Sequence, residues 1–130
     1  MSVVADMAEI TADHAGESLR YFAEVEPESR AVTVHHRRDG LDWTDARERE
    51  VEEELHELTA KASYEAAMDA TNVNQIIKVA DDKVLFTGFV EDTVAVAAFD
   101  RGIFATLPAI VADFREYMIE EDIEFVSLEL

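Results

Sequence analysis

The tightest constraint on this fold lies between Thr93 and Asp100. Read as a strand, the segment places Val94, Val96 and Ala98 on one face and Ala95, Ala97 and Phe99 on the other. A strand that is apolar on both faces must be covered on both sides. Gln75–Ala80 and Val84–Val90 precede it as two further strands. The connections, Asp81-Asp82 and Glu91-Asp92, are short and polar, which suits an antiparallel meander.

Elements on either side follow from spacing. Val3, Met7, Ile10, Ala15, Leu19 and Phe22 recur at near-helical intervals, with Val25 closing the stripe and Pro27 ending it. Asp13 or Gly16 offers a break that would leave residues 1–15 as a mobile helical arm. Arg30–Arg38 reads as a strand, and Asp39-Gly40 as a hairpin-type turn into a short second strand, Leu41-Asp42-Trp43. Thr44 suits a helix N-cap, with Asp45 and Glu48 in the first turn where the dipole favours anions. A long helix is expected from Asp45 to Ala70, burying Val51, Leu55, Leu58 and Ala62. Glu50, Glu52, Glu53, Glu54 and Glu57 would form its solvated face. Phe104, Leu107, Val111, Phe114 and Met118 mark a final amphipathic helix, where Pro108 is tolerated in the first turn. Residues 120–130 alternate Ile123, Phe125 and Leu128 with acids, a pattern open to a tail or a short extra strand. The expectation is a single α+β domain over 1–130. An antiparallel sheet of about five strands is packed by helices, in the order helix, strand, short strand, long helix, three-strand meander, helix.

Charge bounds the partners. Thirty acids against eleven Lys and Arg give a net charge of −19, and Lys61, Lys78 and Lys83 are the only lysines. Such a charge opposes compaction at low ionic strength. At about 1 M salt the Debye length is only about 3 Å and most of the repulsion disappears. Acids spread along the whole chain, with few lysines, are expected of a protein adapted to a halophilic cytoplasm that gathers K or Na ions non-specifically. The densest basic cluster, Arg37-Arg38, is followed at once by Asp39, so nucleic acid and anionic membranes are not expected partners. No apolar run approaches the ~20 residues of a membrane span, and the first residues lack a basic n-region, so a cytoplasmic location is expected. Without cysteine there is no disulfide, thiol nucleophile or thiolate metal site.

Candidate chemistry is thin. His35 and His36 are adjacent on a strand and point to opposite faces, so they cannot chelate one metal; His14 and His56 lack partners at ligand spacing. No glycine pair cradles a phosphate and no serine sits in a nucleophile elbow. Asp81-Asp82 with Asp92 and Asp100 would hold cations only weakly, at one end of the sheet. No cofactor and no catalytic residue is expected. Trp43, the single tryptophan, suits either a staple at the helix entry or an interface anchor.

The segment Lys83-Val84-Leu85-Phe86-Thr87-Gly88-Phe89-Val90-Glu91-Asp92-Thr93-Val94-Ala95-Val96, followed by the Phe104–Met118 helix, resembles the roadblock/LC7 family, a profilin-like scaffold. The resemblance spans Glu17–Tyr117. The chain also resembles small acidic proteins of haloarchaea. The family resemblance implies a non-catalytic dimerising module that joins sheets edge to edge and packs its long helix across the pair. Several such modules regulate small GTPases or act as adaptors in larger assemblies. The residues independently favour a homodimer: Val32–His36 and Ile76–Lys78 are candidate open edges with few blocking charges and no proline. The expected interface is Val32, Val34, Trp43, Leu58, Ala62 and Ala66, with an unidentified protein as the further partner. The alternative is a monomer capped by Ile123–Leu128. A different function, a small-molecule sensor, would place a pocket among His36, Trp43, Phe86 and Phe89. A small acid/base enzyme ranks behind both.

The charge generates one prediction. The unfolding midpoint followed by circular dichroism rises between about 0.1 M and about 3 M KCl. Equal midpoints at both salts would contradict a salt-adapted surface.

Overall fold

The computed structural model describes residues 3–123. Its strands are β1 (Leu19–Val25), β2 (Val32–Arg37), β3 (Gln75–Val79), β4 (Val84–Val90) and β5 (Thr93–Phe99). Its helices are α1 (Val3–Ala15), α2 (Asp45–Glu53), α3 (His56–Met68) and α4 (Leu107–Glu120), with short 3-10 turns at Gly16–Ser18 and Arg101–Ala105. The strands form one antiparallel sheet in the order β2-β1-β5-β4-β3. The expected single α+β domain with a five-stranded antiparallel sheet is what the chain forms.

Both faces of β4 and β5 are covered, as their alternation demands. On one face Val84, Phe86, Val90, Ala95, Ala97 and Phe99 meet α1 and α4, which contribute Met7, Ile110, Phe114 and Met118. Phe86 and Phe114 stack at a tilt, with centroids 6.0 Å apart. On the other face Leu85, Phe89, Val94, Val96 and Ala98 meet Val51 of α2, with Leu41, Trp43, Leu55 and Leu58 packed around them. Each fully buried side chain of this size is worth about 1.5–3 kcal/mol. Val4, Met7, Ala8 and Thr11 of α1 are buried, so most of residues 1–15 form a helix docked on the core.

Several local expectations are corrected. Leu19–Val25 is a strand and not the end of a helix. It pairs with both β2 and β5 and buries Tyr21 and Ala23 opposite Leu19 and Phe22. A strand buried on both faces loses its alternation, and 19, 22 and 25 then mimic a helical stripe. Pro27 sits in the β1–β2 turn. Leu41–Trp43 is a loop whose side chains reach the core without strand pairing. The long helix is broken: the amides of Glu54 and Leu55 bond to Val51 and Glu52, a tighter i−3 turn that separates α2 from α3. Thr44 caps α2 as expected, accepting from the Arg47 amide at 3.2 Å. In α4 the buried stripe is Leu107, Ile110, Phe114 and Met118, while Phe104 lies exposed in the preceding 3-10 turn and Val111 is half-buried.

A further correction concerns Glu54. Placed on the solvated face by its spacing, it is only 5% exposed. Its carboxylate accepts from Lys78 Nζ at 2.8 and 2.9 Å and from Thr87 Oγ1 at 2.6 Å. Ala62, assigned to the buried stripe, is exposed, and α3 has no fully buried residue. At the other end, Asp122 turns left-handed and the Ile123 amide closes α4 onto Met118. Residues 124–130, with most of the segment left open as tail or strand, lie outside the described residues. No helix among the described residues is long and apolar enough to cross a membrane.

Removing the Glu54 carboxylate strands a buried hydroxyl and loses a charge-assisted bond. Glu54→Ala is therefore expected to cost about 2–3 kcal/mol in urea unfolding, and the exposed Glu53→Ala less than about 0.5 kcal/mol. Equal costs would show that Glu54 is not buried.

Candidate functional site

The sheet ends in two open edges, β2 and β3, and the outer edge of β3 is the one with apolar residues half-exposed beside it. On its inner side β3 pairs residue by residue with β4, from Gln75 opposite Gly88 to Val79 opposite Val84. It ends the sheet, and among the described residues no strand pairs with its outer side. Its alternation sends Ile76 into the core under α2 and Ile77 and Val79 to the opposite face, where they are 43% and 51% exposed. An uncovered edge with apolar residues is a template for another strand.

Lys78 fastens α2 and α3 to this edge. Its ammonium reaches Glu54 at the end of α2 and Glu57 in the first turn of α3, the latter at 2.9 Å. Desolvation lowers the Lys78 pKa, but the bonds to Glu54 and Glu57 outweigh it and hold the group above its ordinary value. Desolvation likewise raises Glu57, and bonds from Lys78 and the Tyr64 hydroxyl more than reverse it. Further along α3, Glu65 accepts from Lys61 at 2.7 Å and from the Val73 amide at 2.7 Å, just ahead of β3. These two bonds hold its carboxyl below the usual range. Polar bonds thus moor α3 beside β3, while its other side stays open: Ala62, Ala66 and Ala67 are exposed, with Tyr64 and Met68 at the rim.

The remaining sequence-derived residues fall in separate places. Val32 and Val34 are on β2, at the far edge of the sheet from β3. Trp43 meets Tyr21 edge-on, with centroids 5.2 Å apart, and packs, as does Leu58, against the core on the α2 side of the sheet. Burial and the Glu50 carboxylate hold the Tyr21 phenol well above its ordinary pKa. Phe86 and Phe89 point into opposite cores, and His36 lines clefts beside α1, so His36, Trp43, Phe86 and Phe89 are not brought together. His35 bonds Glu24 at 2.6 Å, His14 contacts Asp113, and His56 pairs with Glu53. Asp100 is held by Arg20 and Arg38, each at 2.8 Å, and the Arg20 bond foremost keeps it below the usual carboxylate range. Asp92 lies at the opposite end of β4 from Asp81-Asp82, so these acids do not converge. Among the described residues no group of three His, Asp or Glu is placed to hold a metal ion. The edge expected at Ile76–Lys78 includes Ile77, while Val79 and Met68, which complete its apolar border, lie outside the expected set. The signal was present in β3, whose Ile76 and Ile77 make both faces apolar at an edge.

No family model and no curated protein matches the chain. Solved structures do. A structure described as MglB with a tetrameric arrangement superposes with a TM-score of 0.67 at 12% identity, covering 90% of this chain and 85% of that one. The gliding protein MglB of Thermus thermophilus gives 0.66 at 11% identity, covering 86% and 82%. A roadblock/LC7 domain from Streptomyces avermitilis gives 0.54 at 14% identity, covering 90% and 95%. The helix-covered sheet of this chain has the roadblock/LC7 fold.

Proposed function

We propose that the chain is a non-catalytic, homodimerising adaptor or regulatory module of a halophilic cytoplasm, acting with a small GTPase or within a larger assembly. The open outer edge of β3, bordered by Ile77 and Val79, carries the reading. Two copies of β3 paired antiparallel about a two-fold axis would satisfy each other's backbone groups and merge the two sheets. That axis stands perpendicular to the sheet and brings the two α3 helices side by side on one face. Ala62 and Ala66 are small enough for close approach there. β2 is the poorer edge: it carries Arg37, and His35 is tied back to Glu24. The tetrameric arrangement named for one fold neighbour supports self-association. Dispersed histidines and self-paired acids support a module that binds proteins in preference to turning over a substrate.

Light scattering at tens of micromolar protein in about 3 M KCl tests this, with the mass expected at twice 14.6 kDa. Ala62→Glu with Ala66→Glu puts like charges at the seam without touching the core and is expected to reduce the mass to 14.6 kDa. Val34→Lys on β2 leaves the dimer intact. A monomeric parent chain would overturn the proposal, and a dimer split only by Val34→Lys would move it to the other edge.

A further inference from the structure

The geometry points to a second docking surface: the groove between α4 and β3 receives a basic amphipathic helix from a protein partner. α4 carries two apolar stripes where a surface helix needs one. Leu107, Ile110, Phe114 and Met118 fill the core. Pro108, Val111, Ala112 and Ile119 form the other, which faces outward, with Phe104 at one end and Ile77 of β3 alongside. Together they line an open groove of about 980 Å³. Ile119 is 62% and Phe104 46% exposed, on a chain whose surface is otherwise dominated by carboxylates. A contiguous apolar surface with a polar border marks an interaction site.

Charge selects the occupant. Glu116 and Glu120 border the groove against one cation, Arg115, and the helix runs on into exposed Glu121 and Asp122. A second copy would set the same acidic rim, Glu116 and Glu120, against this one, and residues 124–130 of this chain carry only acidic charges, Glu124 and Glu129. A partner with Lys or Arg flanking its apolar stripe complements this rim. α4 has 14 residues, a length of about 20 Å, so it can seat a helix of similar size through anchors at i, i+3, i+4 and i+7. The groove lies on the face of the sheet away from α3, where Ile77 of β3 forms its inner wall.

Fluorescence anisotropy of the full chain, in salt where circular dichroism shows it folded, tests the assignment. The probe is a labelled 14-residue Leu/Lys peptide with Leu at helical spacing. Its controls are the same residues scrambled and a Leu/Glu peptide of the same pattern. The patterned Leu/Lys peptide is expected to bind about tenfold or more tightly than either control. Val111→Ser with Ile119→Ser, or Ile119→Ser alone, changes no charge and is expected to weaken binding about tenfold or more while leaving the light-scattering mass unchanged. Equal binding of the scrambled or Leu/Glu peptide overturns the proposal, as does an unaffected variant. A change in mass would make the groove an interface between copies. Tighter peptide binding by Phe125→Ser with Leu128→Ser would make it the seat of the chain's own end.

Discussion

The structure depends on the double burial of β4 and β5. An element apolar on both faces cannot lie at a surface, so it takes the interior of a sheet with helices above and below. β1 and β3 flank the pair, and α1 with α4 on one face and α2 with α3 on the other supply the covering layers. The burial of Phe86, Phe89, Phe99 and Phe114 follows from that arrangement. The acids occupy what is left outside, with Glu54 as the exception.

Glu54 shows how the second helical layer is attached. α2 buries Val51, but α3 buries no residue fully, so hydrophobic contact alone secures α3 poorly. A carboxylate held by Lys78 and Thr87, with Glu57 on the same ammonium, compensates at the junction of the two helices. A buried ion pair of this kind stabilises less than apolar packing would, but it strongly penalises any arrangement that separates the partners. It fixes α3 beside β3 and leaves the open face of α3 next to the open edge of the strand. The helix break and the edge are therefore two parts of one device.

Legibility in the sequence followed burial pattern. β3–β5 were readable as short apolar runs bounded by short polar turns, and α4 from its helical spacing. β1 was not, since Leu19, Phe22 and Val25 satisfy a helical interval once every face is buried. Leu41 and Trp43 looked like a strand because loop residues that reach the core carry the same apolar signal. Glu54 was illegible among neighbouring acids; the clue lay elsewhere, in Lys78 and Thr87, whose polar groups face α2 from β3 and β4. At the surface, both sheet edges were recognised from their lack of blocking residues. The outer stripe of α4 was hidden because Phe104 and Val111 had been counted with its buried stripe.

Two copies of this chain are proposed to meet at the outer edge of β3. Hydrogen exchange read by mass spectrometry on dilute and concentrated protein, in about 3 M KCl, addresses it directly, because about half of the amides of an edge strand point away from its partner. Slower exchange across Gln75–Val79 on concentration, with Val32–Arg37 unchanged, is the predicted result. Exchange in β3 that is independent of concentration, or protection gained at β2 instead, would contradict it.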